Sequence, residues 1–236
     1  MDVPPSVGHK TDIAGVLFDF GNTLFAHAPL ALTIGHSAGK LGLQISEDDL
    51  VAMAYRIDTA AMTADELAHP RDLDQTVWKQ RWQVLYGMAD EWGPGLGEAI
   101  NANMHDSKEW VPYPRSAATL RSLHARGIRV GIVSNTGWDV RAVFVEHFMS
   151  DFVSSFTLSY EAGYVKPDHQ IFDAACASLG IAPERVLMVG DDPRADSGAV
   201  RVGIRTFLVP TQPPKVDNGV GEVLKLVGID EFPSSE

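Results

Sequence analysis

The spacing of apolar and polar positions divides the chain into unlike stretches. Residues 13–25, IAGVLFDFGNTLF, are a nearly continuous apolar run that breaks at Asp19 and turns through Gly21, Asn22 and Thr23. A run without alternation, closed by turn residues, predicts a central strand of a parallel sheet buried on both faces. From about 27 to 112 the spacing is helical: Leu50, Met53, Ala54 and Ile57 share one face, as do Val77, Trp78, Trp82, Leu85 and Tyr86 further on. Gly42 marks the end of a first helix over 28–41, Ser46 with Asp49 opens the second, and a third covers 74–87. From Pro114 helices and strands alternate. Helices are predicted over 115–126, 138–148, 168–179, near 195–202 and, more weakly, over 219–227, with strands over 128–133, 155–158, 186–189 and 204–209.

Repeated βα units specify an α/β fold, a mostly parallel sheet with helices on both faces. The helical block interrupts it after the first strand. The expected organisation is a core of 13–26 and 113–236, an inserted α-helical cap over 27–112, and a flexible arm over 1–12. Trp78, Trp82, Trp92 and Trp110 fall within the helical block, where aromatic residues at helical spacing predict the packing of a small bundle.

Composition narrows the partners. Nineteen Lys and Arg stand against 31 Asp and Glu, a net charge of −12, with no basic stripe to offset it. Nucleic acid and anionic membrane surfaces are excluded as partners on electrostatic grounds, which leaves small molecules and metal cations. No apolar run approaches the roughly 18 residues of a spanning helix. The opening MDVPPSVGHKTD lacks a hydrophobic region, so a cytoplasmic protein is expected. Cys176, the sole cysteine, shares a helix face with Ile171, Phe172, Ala175 and Leu179 and reads as a packing thiol in a reducing compartment. Oligomeric state leaves no trace in the sequence.

Polar groups recur where the predicted strands end: Asp19, Ser134 with Asn135, Lys166, and Asp191 with Asp192 and Asp196. Open α/β sheets bind ligands outside the carboxyl ends of their strands, so these groups converge on one crevice. Asp19 is a carboxylate already ionised at neutral pH and serves as a nucleophile toward an anionic electrophile once cations accompany it. Asp191 and Asp192 are candidates to hold Mg²⁺ together with an oxygen of Asp19. Lys166 supplies a point charge, while Ser134, Asn135 and the following helix amides suit phosphate oxygens.

As a set, these residues resemble the haloacid dehalogenase-like hydrolases. VLFDFGNTL is similar to the family's first motif, VGIVSNTG to its second, GYVKPDHQIF to its third and VGDDPRADSGA to its fourth, in the family's order. The resemblance covers 13–26 and 113–210 and implies a Rossmann-like three-layer core with a C1-type cap. It implies that Asp19 becomes a phospho-aspartate, that Ser134 and Lys166 bind the transferring group with Asn135 and Asn22 beside them, and that Asp191 ligates Mg²⁺. Asp192 or Asp196 is then a further ligand or an orienting partner, and the Gly21 backbone carbonyl another ligand. The expected activity is hydrolysis of a small phosphorylated metabolite.

One position departs from the pattern. Most phosphatases of the family carry a second Asp two residues after the nucleophile, to protonate the leaving group and activate water; here that position is Gly21, followed by Asn22. Glycine has no proton to give, and an amide does not titrate in the useful range. His27 and His36 are nearby in sequence as substitutes, against their plainer place as ordinary residues of the helical block. Besides a phosphatase, the sequence admits a 2-haloacid dehalogenase, which tolerates a different residue at this position, and a non-enzymatic member that keeps the phosphate pocket.

Overall fold

A computed structural model describes residues 12–229. The strands are β1 (Gly15–Phe18), β2 (Phe25–His27), β3 (Trp110–Pro112), β4 (Arg129–Ser134), β5 (Ser155–Leu158), β6 (Val186–Gly190) and β7 (Arg205–Leu208). Five form one sheet in the order β5-β4-β1-β6-β7, with every pairing parallel. The chain fills one side of β1 with β4 and β5, then returns to the other side with β6 and β7. β1 therefore lies at the point where strand order reverses, the place where such sheets bind ligands.

The α-helices are α1 (Leu30–Lys40), α2 (Glu47–Ala61), α3 (Ala64–Leu67), α4 (Gln75–Tyr86), α5 (Leu96–Met104), α6 (Ser116–Ala125), α7 (Arg141–Glu146), α8 (Ser159–Ala162), α9 (His169–Leu179) and α10 (Val223–Leu226). Along β1 the side chains alternate between two cores. Val16 and Phe18 pack with Leu120 of α6, Phe144 of α7 and Val223 of α10, whereas Leu17 packs with Ile171, Phe172 and Cys176 of α9. All of Gly15–Phe18 is buried, which explains why the run carries no polar alternation. Burial pushes the Cys176 thiol up to about 11, consistent with a packing residue.

Helices α1, α2, α4 and α5 enclose a third core of their own, with Ile34, Met53, Ile57, Leu96 and Ile100 at its centre. Their starts follow from local side chains. The Ser46 hydroxyl accepts from the Asp49 amide at 3.2 Å and donates to its carboxylate at 2.7 Å. Asp74 accepts from the amides of Thr76 and Val77 at 2.7 and 3.0 Å.

Residues 27–112 are not helical throughout. Phe25–His27 and Trp110–Pro112 pair as an antiparallel ribbon, so the two passages between sheet and helical layer are tied together. The predicted helix over 138–148 is confined to Arg141–Glu146, because the Thr136 hydroxyl accepts from the Trp138 amide and holds a turn ahead of it. The predicted helix near 195–202 is a 3₁₀ helix, Asp196–Val202, with Gly198 pressed so close to Pro167 that a Cβ would lie 2.6 Å from its carbonyl oxygen. The arm expected at 1–12 lies, apart from Asp12, outside the described residues.

Candidate active site

Asp19 leaves β1 with its amide still donating to Val189 on β6, 2.9 Å, which fixes the carboxylate at the sheet's carboxyl edge. The chain then folds back: the Phe20 carbonyl accepts from the amides of Leu24 and Phe25, and Asn22 takes φ +56°, a left-handed conformation that Asn tolerates. Ser134 ends β4 beside it and is buried. Asn135 is engaged with the next motif, its Nδ2 donating to the Lys166 carbonyl at 2.9 Å and its Oδ1 accepting from the Lys166 amide at 2.7 Å. This amide pair holds the loop that delivers Lys166.

Lys166 is 5% exposed, and its Nζ stands 2.9 Å from Asp19 Oδ1 and 2.7 Å from Asp196 Oδ1. The other oxygen of Asp196 accepts from the Asp192 amide at 3.0 Å. Asp196 fits under the end of β6 only because residue 190 is glycine, since a Cβ there would lie 2.0 Å from Asp196 Oδ2. Asp191 is held through both oxygens, by Thr211 Oγ1 at 2.9 Å and Thr23 Oγ1 at 3.4 Å. Asp19, Asp191 and Asp196 each bring a carboxylate oxygen within 4.8 Å of the others.

The electrostatics follow from burial. Desolvation pushes the Asp19 carboxyl above its ordinary value, with the Lys166 charge opposing the shift and Asp191 adding to it. Asp196 and Asp191 are likewise raised chiefly by burial. Burial alone would lower Lys166, but the adjoining carboxylates of Asp19 and Asp196 outweigh it and keep the ammonium protonated. One ammonium against three carboxylates leaves two negative charges in excess. Such a site suits a hard divalent cation with oxygen ligands. Asp196 is fully buried and spent on Lys166 and the Asp192 amide, whereas Asp19 and Asp191 line the cleft, which makes them the better-placed donors. Gly21 and Asp192 line the same cleft; the Asp192 carboxylate accepts from the Arg194 amide at 2.8 Å and is outside the close group of three.

The cleft above these groups has a volume of about 620 Å³. Asn22, Ser134 and Asn135 line it beside Asp19, aromatic rings line much of the rest, and Thr136, Asp192, Arg194 and Thr211 add polar groups from the core side. Trp78, Trp82 and Tyr86 come from α4, while Trp110 and Trp138 lie on the sheet side. The expectation that four tryptophans simply pack a helical bundle holds for Trp92, which packs on the helical core, and in part for Trp82, which packs there and also lines the cleft. It fails for Trp78 and Trp110, because the faces they present meet the other layer across the cleft.

Neither His27 nor His36 lines the cleft. His27 sits against Trp110, with Nδ1 3.1 Å from the Ala28 carbonyl, and His36 is exposed on α1. His105, just beyond α5, does line it and carried no sequence motif. Trp78 Nε1 can only donate, at 3.0 Å to His105 Nε2, so Nδ1 carries the proton and donates to the Asn101 carbonyl at 2.7 Å. Burial lowers the His105 pKa further, so both nitrogens are committed in a neutral ring.

The arrangement provides a buried carboxylate at position 19, a fixed ammonium beside it, a second cleft-lining carboxylate at position 191 close enough to share a cation, and no titratable side chain at position 21. Comparison with known proteins agrees in kind. A family model described as haloacid dehalogenase-like hydrolase matches residues 13–203. The phosphoserine phosphatase of Thermus thermophilus is 30% identical over 191 residues, covering 79% of this chain and 70% of the relative. The glyceraldehyde 3-phosphate phosphatase of Methanopyrus kandleri is 29% identical over 211 residues, 84% of each chain. The structure of L-2-haloacid dehalogenase from Xanthobacter autotrophicus, with chloropropionic acid covalently bound, matches with a TM-score of 0.65 and 17% identity over 91% of this chain and 98% of that one. At that identity the likeness is one of fold.

Proposed function

The chain belongs to the haloacid dehalogenase-like hydrolases, and from that membership we propose that it is a Mg²⁺-dependent phosphatase acting on a small phosphomonoester through an aspartyl-phosphate on Asp19. Residues 13–26 and 113–236 act as the catalytic core, and 27–112 as the cap that closes over it. The observation that carries the proposal is the Lys166 ammonium bridging Asp19 and Asp196, beside Asp191, in a site with excess negative charge. A phosphoryl group adds further negative charge, so a site for it needs both a lysine and a cation. The relatives named for phosphoserine and glyceraldehyde 3-phosphate point to the same reaction type.

In the first step an Asp19 oxygen forms a bond to phosphorus as the bond to the leaving oxygen breaks, and the electron pair departs on that oxygen. Water then attacks phosphorus, releasing phosphate and regenerating the Asp19 carboxylate. Lys166 stays protonated and neutralises charge on Asp19 and on the transferring group. Ser134 and the amides after β4 receive the remaining phosphoryl oxygens, while Asn135 keeps Lys166 in place. Asp19 and Asp191, with the Gly21 carbonyl, would hold Mg²⁺, which supplies charge neutralisation at the phosphoryl oxygens.

The test is phosphate release from a panel of phosphomonoesters with and without Mg²⁺, alongside Asp19→Asn. Metal-dependent release lost in the variant, with folding intact, supports the proposal; no release from any ester, activated aryl esters included, sinks it. One competing assignment, a 2-haloacid dehalogenase, is supported by a relative named (S)-2-haloacid dehalogenase 4A from Burkholderia cepacia, 31% identical over 182 residues. Chloride release from 2-chloropropionate without added metal would establish that activity instead, and would leave the carboxylate of Asp191 without a role.

A further inference from the structure

Resting on the phosphatase assignment, we infer that the ester cleaved is a small aryl phosphate, whose phenol-type leaving group lies among Trp78, Trp82, Tyr86, Trp110 and Trp138. Two independent features of the cleft lead there. The first is its wall chemistry. The helical layer contributes Trp78, Trp82, Tyr86, Met104 and His105 to the lining, none of them a charged side chain in the state described.

The rings are arranged as mutually supporting pairs. Trp82 stacks on Tyr86 with centroids 5.2 Å apart at 23°, Trp78 follows Trp82 at 5.6 Å, and His105 spans from Trp78 to an edge contact with Trp138 at 5.4 Å. Trp78 cannot rotate freely, because its N–H is spent on His105. Trp82 is braced from within the helical layer by Tyr86 and by the Arg71 guanidinium 5.1 Å from its centroid, and the cleft-lining rings together present aromatic surface to a planar group. Polar partners in the cleft, Thr136, Asp192, Arg194 and Thr211, come from the core side, so a polyol or zwitterion lying against the helical layer would bury hydroxyls or charges on aromatic surface.

The second feature is Gly21. An alkoxide leaves phosphorus slowly unless a proton accompanies it, and residue 21 has none to give. A phenol, with a pKa of about 10 like that of tyrosine, leaves as its anion. In the balanced step, the Asp19–phosphorus bond forms, the phosphorus–aryl-oxygen bond breaks, the pair departs on the phenolate, and solvent later protonates it. His105 does not substitute for the missing acid, since both its nitrogens are engaged. Aromatic walls and an unassisted leaving group are separate observations that select the same ester.

The experiment compares phenyl phosphate, hexafluoroisopropyl phosphate, an alkyl ester with a similarly acidic alcohol, and benzyl phosphate, which keeps the ring but not the acidity. Phenyl phosphate should exceed both others by about tenfold or more in kcat/KM. Equality with the hexafluoroisopropyl ester overturns ring recognition, and equality with benzyl phosphate overturns the leaving-group argument. Hydrolysis of glycerol phosphate faster than any of them overturns the inference while leaving the phosphatase assignment standing. Binding gives a readout free of turnover: phenylphosphonate should quench tryptophan fluorescence with a Kd about tenfold below that of methylphosphonate, and Trp82→Leu should shrink the ratio. Equal affinities for the two phosphonates in the wild-type protein would refute the inference even if every ester is cleaved.

Discussion

Lys166 is joined to Asp196 by a 2.7 Å contact that water does not reach: Asp196 is 0% exposed and Lys166 5%. The same ammonium meets Asp19 at 2.9 Å, so one lysine both neutralises the proposed nucleophile and accounts for a buried carboxylate. The first prediction follows. Lys166→Met should abolish turnover and also destabilise the fold by about 3–5 kcal/mol at neutral pH, the usual cost of stranding a buried charge. The deficit should narrow on acidification, because an unpaired Asp196 then protonates. Chemical denaturation at two pH values measures both effects, and a Lys166→Met protein of wild-type stability at neutral pH would show that Asp196 does not depend on the pair.

The three carboxylates set a pH dependence of their own. Burial raises Asp19, Asp191 and Asp196 above the ordinary value of 3.8. A carboxyl whose folded pKa is raised contributes stability that is present below 3.8 and lost as pH rises through the higher folded value. Without divalent cation, then, this cluster costs stability at neutral pH and not in acid. Mg²⁺ should raise Tm at neutral pH, by an amount equivalent to about 2.7 kcal/mol at a hundred times Kd, and by less as pH falls. Thermal melts across pH, with and without Mg²⁺, provide the check; a shift independent of pH would place the ion away from these groups. Asp191→Asn should remove most of the Mg²⁺ shift without lowering the metal-free Tm.

Position 21 can be refilled. A Cβ there would meet only Trp110 Cζ3, at an ordinary 3.8 Å. Gly21→Asp should therefore fold and raise kcat on alkyl phosphates, by up to about 10²-fold, while changing aryl esters little. No gain on alkyl esters would mean that a proton already reaches the leaving oxygen by another route.

The contact between helical layer and core depends on another glycine. A Cβ on Gly137 would lie 2.3 Å from Trp78 Cβ and 2.8 Å from the Arg71 carbonyl. Gly137→Ala should displace α4 from the loop after β4 and raise KM for aryl phosphates about tenfold, as overpacking at a close contact costs about 1–3 kcal/mol. Steady-state kinetics measure it, and an unchanged KM would show that the displacement leaves the aromatic walls intact.

Much of this protein is determined by local sequence. Gly15–Phe18 reads as a buried central strand because a strand covered on both faces needs apolar side chains in both directions. Ser46 and Asp74 open their helices because a cap is satisfied within three residues. The motif residues Asp19, Ser134 and Asp191 were legible because each lies at the carboxyl end of a strand, with Lys166 one short helix beyond β5, and parallel strands deliver their ends to one edge. Tertiary structure decided the rest. Which of the neighbouring acids reaches Lys166 beside Asp19 depended on the close approach of Gly190 to Asp196, a contact with no local signature. The ribbon of Phe25–His27 with Trp110–Pro112 joins short segments far apart in the chain, too brief for alternation to show. His105, Trp78 and Trp138 become one wall only when the helical layer docks on the sheet. Helical spacing tells which face of α4 is apolar, but whether that face meets its own bundle or a ligand cleft depends on what lies opposite, and that is settled only when the two layers pack.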